Sequence, residues 1–167
     1  MTKRTGLVVA VAAALAILGY ALFFRETDES RIRKRLAALA AAVRIDPAAR
    51  DPLARALRIE RAFAAGVSPG VRVQVPELGD VGGGRDGLLQ LAVSSAGMFS
   101  SMQLGFERVR VQLAPGSRSA AVDASAVLST TEHGGGSQRR TKRLDLRFEN
   151  VEGEWRLAHV VALDDEP

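Results

Sequence analysis

Apolar residues recur along this chain in three different patterns, and each change of pattern marks a change of element. The first pattern is a continuous run. Gly6 to Phe24 carries no charge, is preceded by Lys3 and Arg4, and is closed by Arg25-Glu26. As a helix it is roughly 28 Å long, about the thickness of a hydrocarbon core. A cleaved signal peptide has a shorter apolar region ending in small residues, whereas this run ends in Leu22-Phe23-Phe24. An uncleaved anchor is therefore expected over residues 6–24, behind a basic head of residues 1–5 and ahead of a short linker, residues 25–27.

A period near 3.6 follows. Ile32, Leu36, Leu39, Ala40 and Val43 lie three and four apart, which predicts a helix capped by Thr27 or Asp28 and stopped by Asp46-Pro47. Asp51-Pro52 opens a second helix, with Leu53, Leu57, Ile59 and Phe63 as its expected buried side and Gly66 as its stop. After Ser68-Pro69-Gly70 the period drops to two. Val71, Val73 and Val75 then share one face of a short strand that Pro76 ends. Gly79 to Gly84 read as a loop before a third helix, from about Asp86 to Ala96, whose inner side carries Leu88, Leu89, Ala92 and Val93.

The remaining segments predict four antiparallel strands, over residues 103–113, 120–130, 140–149 and 155–163, joined at Pro115-Gly116, Gly134-Gly135-Gly136 and Glu152-Gly153. In the first of these, the apolar positions are even through Phe106 and odd from Val109, so a β-bulge is expected near Glu107-Arg108. In the last, unbroken alternation would put Trp155, Leu157, His159, Val161 and Leu163 on one face. The acidic tail, residues 164–167, is expected to fray. This order packs as an α+β domain over residues 28–163, with three helices against one face of a curved antiparallel sheet.

The same order, with Val73-Gln74-Val75-Pro76-Glu77, Gly84-Arg85-Asp86-Gly87-Leu88 and Glu152-Gly153-Glu154-Trp155-Arg156-Leu157, resembles the nuclear transport factor 2-like superfamily, including its SnoaL-like members. The resemblance implies a cone-shaped fold with a pocket between the curved sheet and the helices, often paired as a homodimer through the sheet. The side chains expected to line the pocket are Val73, Val75, Leu104, Phe106, Leu146, Phe148, Trp155, Leu157 and His159. Family membership names no reaction, since members include isomerases, dehydratases, carriers and assembly domains. In steroid-isomerase-like members a general-base Asp precedes the proline that ends the first strand, and here that position is Val75. Their oxyanion-stabilising tyrosine has no counterpart, because the single tyrosine is Tyr20, inside the apolar run. Another family pattern, Trp-x-Ile-x-His-x-His, is matched at Trp155, Leu157 and His159, with Val161 at the second histidine.

Composition narrows the chemistry further. At 167 residues, 47% hydrophobic and 25% charged, the chain suits one folded domain. The isoelectric point of about 10.3 invites a nucleic-acid reading. Yet without Lys3, Arg4 and Arg25 the chain has 20 basic against 19 acidic side chains, and it has no basic stripe interleaved with aromatics. No nucleic-acid partner is expected. The absence of cysteine removes thiol nucleophiles, zinc–thiolate sites and disulfides.

His159 is the sharpest polar candidate, as a general base or an anion contact, but Asp123, Asp145 and Glu149 fall on the opposite alternation of their strands and cannot orient it. Residues 79–86 have the glycine spacing of a phosphate loop, but Arg85 replaces its lysine and Asp86 its Ser or Thr, so no nucleotide cofactor is expected. No metal is expected either, with His133 and His159 the only histidines and neither near a carboxylate at ligand spacing. Glu77 reads as a loop acid near the pocket mouth, and Arg139, Arg140, Lys142 and Arg143 as a solvated or edge-protecting cluster. Arg31, Arg33, Lys34 and Arg35, just beyond the anchor, either meet anionic headgroups or form a solvated helix face.

The short basic head favours a soluble domain outside the cytoplasm, on the periplasmic side, while the basic residues after the anchor oppose that orientation. The function expected is a membrane-anchored, non-catalytic binding or assembly module with a protein partner or a small apolar ligand. The alternative is an isomerase- or lyase-type enzyme using His159.

Overall fold

The computed structural model describes residues 27–49, 51–76, 79–116 and 118–163. The proposed anchor (6–24), its basic head, Glu77 and the acidic tail lie outside them, and among the described residues no helix is long and apolar enough to cross a membrane.

Helix α1 runs from Asp28 to Val43, with the Thr27 hydroxyl accepting from the Ser30 amide at 3.2 Å. Thr27 thereby takes the cap, and Asp28 is left to accept from the Trp155 indole Nε1 at 3.0 Å. Ile32, Leu36, Leu39 and Ala40 are buried, as their spacing requires. Helix α2 runs from Pro52 to Gly66, and the Asp51 carboxylate accepts from the amides of Leu53 and Ala54 at 2.9 and 3.0 Å. Its buried stripe is Arg55, Ile59, Phe63 and Gly66, whereas Leu53 and Leu57 are 68% and 41% exposed. Helical geometry explains the difference. Residues two apart sit roughly 200° around the axis, so Leu57 cannot share a face with Ile59.

Strand β1 (Val67–Val75) follows directly and buries Val67 and Val71. The expected loop contains a two-residue strand, β2 (Gly79–Asp80), folded back on Gln74 and Val75. Helix α3 (Gly84–Ser94) comes next and continues into a 3₁₀ turn, Ser95–Gly97. Glycine is needed at its start. At Gly84, φ is +54° and an added Cβ would lie 2.6 Å from the Pro69 carbonyl oxygen; at Gly87 it would lie 2.8 Å from that of Gly82.

Four long strands follow: β3 (Phe99–Leu113), β4 (Ser119–Glu132), β5 (Ser137–Val151) and β6 (Glu154–Leu163). They form the expected antiparallel meander, but the whole sheet is mixed, in the order β2-β1-β6-β5-β4-β3 with β1 parallel to β6. β3 runs against β1, so after the three reversals of the meander β6 comes back beside β1 running the same way.

Two bulges set which side chains face the helices. In β3, Glu107 pairs with Ser125 and Arg110 with Asp123, so two residues oppose Ala124 alone, and Arg108 takes φ 53°. This is the slip expected from the apolar parity. The second, between Arg147–His159 and Phe148–Leu157, leaves Ala158 as the extra residue of β6.

The core is two connected clusters. Ile32 and Leu36 of α1 pack on Ala120, Val122, Ala124, Leu146, Phe148 and Trp155, while Leu39 joins Ile59, Phe63, Val67 and Val71. Each large side chain removed from water this way contributes about 1.5–3 kcal/mol.

Candidate functional site

The site expected from the sequence lay between the sheet and the helices, so the first question is what that concave wall offers. At its narrow end there is no space. Leu146, Phe148 and Trp155 are 4%, 0% and 2% exposed beneath Ile32 and Leu36. Leu157 and Val73 are half-buried against the second cluster. Towards the wide end, Leu104, Phe106 and Leu144 are half-buried. From Ala120 to Leu128 the inward alternation of β4 is Ala120, Val122, Ala124, Ala126 and Leu128, all apolar. On β5 the half-buried Lys142, opposite Ala126, and the exposed Arg140, opposite Leu128, share this alternation.

His159 is not on that wall. Because Ala158 is the extra residue of a bulge, the inward series of β6 runs Trp155, Leu157, Val160, Ala162, and His159 turns to the opposite face of the sheet with Val161 and Leu163. Its cross-strand neighbours there are Arg147 on β5 and Arg72 on β1, both exposed. Its Nε2 is shielded from solvent and has no hydrogen-bond partner among the described residues. A base needs an acceptor to fix its tautomer and stabilise its cation; two guanidinium side chains supply neither. A single bulge thus removes the histidine from the concave side, and nothing in the alternation of β6 marks it beforehand.

The outward face is instead strongly polar. Asp123 and Asp145 are a direct cross-strand pair. The Asp145 carboxyl is held above its ordinary value by desolvation, and further by a hydrogen bond and charge repulsion from Asp123, against the attraction of Arg143. Like charges directly opposite each other repel, so Asp123 adds to the effect that desolvation begins at Asp145.

Hollows open on the surface of the described residues. One, of about 310 Å³, lies between α1 and the β5–β6 turn and is lined by Arg31, Lys34, Arg35, Ala38, Gly153, Glu154 and Trp155. It gathers three of the four basic residues expected at the membrane surface; Arg33 is bonded to Glu29 instead. A second, of about 530 Å³, runs from Arg44 and Pro47 to the far ends of β3, β4 and β5, where Ser, Thr and Gln side chains predominate. The third, of about 320 Å³, is lined by Gln74, Val75, Pro76, Gly79, Asp80, Val161 and Ala162 at the β1–β2 edge. Val75, where the isomerase-like base would stand, lies in this third hollow. Among the described residues, no three metal-ligating side chains converge.

Sequence reasoning missed a buried polar pair, Arg55 and Ser95. Arg55 is 8% exposed and donates to the carbonyl oxygens of Ala92 and Val93 at 2.8 and 3.0 Å, to that of Val43 at 3.4 Å, and to the Ser95 hydroxyl at 3.1 Å. It joins the C-terminal ends of α1 and α3, where helix dipoles present partial negative charge. Desolvation lowers its pKa, and Arg58 adds repulsion. The signal available was its spacing of four from Ile59, on the stripe continued by Phe63.

No family model matches the sequence, and no curated protein matches it either. Solved structures do match the fold. A nuclear transport factor 2-like superfamily protein from Salmonella enterica serovar Typhimurium aligns with a TM-score of 0.60 at 15% identity, over 83% of this chain and 92% of that one. A protein from Kribbella flavida aligns at 0.66 and 15%, over 84% and 93%. A hexachlorocyclohexane dehydrochlorinase aligns at 0.63 and 12%, over 82% and 84%. The fold is that of the nuclear transport factor 2-like superfamily. At these identities the likeness is one of fold.

Proposed function

We propose that this nuclear transport factor 2-like domain is a non-catalytic binding or assembly module, held at a membrane by residues 6–24 with the domain on the periplasmic side. The observation that carries this reading is the composition of the concave wall. It presents alanine, valine, leucine and phenylalanine where a reaction would need an acid–base pair, and His159 points away from it. Among the described residues of that wall Lys142 is the half-buried charged group, and one ammonium is less than the base and donor array that acid–base catalysis uses. The outward sheet face carries both signs, Arg72, Arg147 and Arg156 with Asp123, Asp145 and Glu149, which suits a homodimer or a protein partner better than a small substrate. The hollow beside Val75 is the place for a small apolar ligand.

The enzyme reading draws on the fold that this domain shares with solved structures named as enzymes, the dehydrochlorinase among them. In that reading Lys142, not His159, is the group on the concave side. The test compares His159→Ala and Lys142→Met in the full chain. The binding reading expects both to keep their fold and their partner or ligand; turnover of any compound that collapses in Lys142→Met with folding intact would establish the enzyme.

A further inference from the structure

The basic residues of α1 divide between two sides of the helix. Arg33 is held by Glu29 through Nε and Nη2 at 3.1 and 2.8 Å. Arg31, Lys34 and Arg35, at spacings of three and four, instead line the hollow closed on its other side by Gly153, Glu154 and Trp155. Within it, Arg35 reaches Glu154 at 2.6 Å, and Arg31 approaches the Gly153 carbonyl oxygen at 3.4 Å and Asp28 at 3.9 Å. Three cations thus line a concave space, with the Glu154 carboxylate in its lining and that of Asp28 beside Arg31. Its 310 Å³ is on the order of ten times the volume of one water in the liquid, enough for a polyatomic headgroup.

Chain length fixes where this hollow can be. Arg31 follows Phe24 by seven residues, so at most about 25 Å of chain separates it from the end of the apolar run.

We propose that this hollow binds the phosphate-bearing headgroup of an anionic phospholipid in the leaflet next to the domain. The inference rests on the membrane-anchored reading. Planar guanidinium groups grip phosphoryl oxygens in pairs, and Lys34 adds a point charge. Glu154 opposes the anion and sets the strength of the site. The hollow therefore orients the domain against the bilayer, which a single anchor helix with a short linker does not do.

Trp155, 2% exposed, lies behind the wall of the hollow with its indole bonded to Asp28 and is the chain's only tryptophan, so occupancy is read through the change it makes around that indole. The full chain is purified in zwitterionic micelles and titrated with phosphatidylglycerol, with phosphatidylcholine, and with free glycerol 3-phosphate. Phosphatidylglycerol is expected to give a saturable change and the other two none. Arg31→Gln combined with Lys34→Gln removes the saturable change. Arg33→Gln, on the same helix but outside the hollow, moves the midpoint by no more than about fivefold, the size of a diffuse surface charge effect. Glu154→Gln moves the midpoint to lower lipid fraction. Native mass spectrometry of the unaltered chain, independent of any variant, should retain one phosphatidylglycerol per protein. Equal responses to both lipids, or equal effects of the Arg33 and Arg31/Lys34 changes, would overturn the inference while leaving the anchor intact. Saturation by glycerol 3-phosphate alone would overturn the lipid assignment. Failure of the full chain to incorporate into phospholipid nanodiscs would overturn the anchored reading, and this inference with it.

Discussion

Replacing Arg55 with methionine is expected to cost the domain about 2–4 kcal/mol. The methionine keeps most of the apolar stem but none of the donors. Four hydrogen bonds are lost, to Ala92, Val93, Val43 and Ser95. Their losses are unequal. The Ala92 carbonyl keeps the Ser95 hydroxyl at 2.7 Å and that of Val93 keeps the Ser95 amide, whereas that of Val43 loses a charged donor at a helix end. Leaving the Val43 carbonyl unpaired costs about 1–3 kcal/mol, and losing the charged hydrogen bonds at Val93 and Ser95 adds roughly 1–3 kcal/mol more. Relief of the guanidinium's own desolvation offsets part of this and brings the net to the stated range. Arg55→Lys should fall between, because one ammonium cannot reach the ends of both helices. Ser95→Ala, which removes one bonded hydroxyl, should cost about 1 kcal/mol. The assay is denaturant unfolding of the full chain in micelles, followed by Trp155 emission. A loss below about 0.5 kcal/mol for Arg55→Met would refute the idea that this side chain joins the helices.

Other outcomes follow from named features of the sheet. The turn between β5 and β6 has positive φ at both Glu152 and Gly153, so Glu152→Asn should stabilise the domain by about 0.5–1 kcal/mol in the same unfolding assay. Because the carboxyl of Asp145 is raised in the folded state, stability should fall as pH rises from the ordinary aspartate value through the raised one. Asp145→Asn should flatten that slope and lift the midpoint at neutral pH, as thermal melts across pH 3 to 7 would record. His159→Ala should change stability by no more than about 1 kcal/mol and leave self-association unchanged, read by light scattering of the purified chain. A reporter fused after Pro167 should be active outside the cytoplasm, and activity only inside would reverse the proposed orientation.

Much of this fold was legible because its signals are local. The α1 stripe, the Asp51-Pro52 start and the bulge near Arg108 each follow from residues within one turn or one strand of one another. Where the reading departed from the structure, the deciding contact was distant. The β6 bulge at Ala158 sits in an apolar run, Leu157-Ala158-His159-Val160-Val161, in which either parity satisfies hydrophobicity, and only pairing with β5 and β1 selects one. That selection moved His159 out of the expected pocket. The burial of Arg55 likewise depends on carbonyls 37 and 38 residues away. The expected pocket walls Leu146, Phe148 and Trp155 are core because α1 fills the narrow end of the cone, which strand alternation does not reveal.

The central claim, that the domain binds without transforming, is tested most directly on whatever small molecule accompanies it. The full chain is extracted in detergent and purified, its bound compounds are released and identified by mass spectrometry, and these are incubated with fresh protein while their masses are followed. The account predicts that they are recovered unchanged. A product whose appearance depends on the chain, and is abolished by Lys142→Met with folding intact, would contradict it.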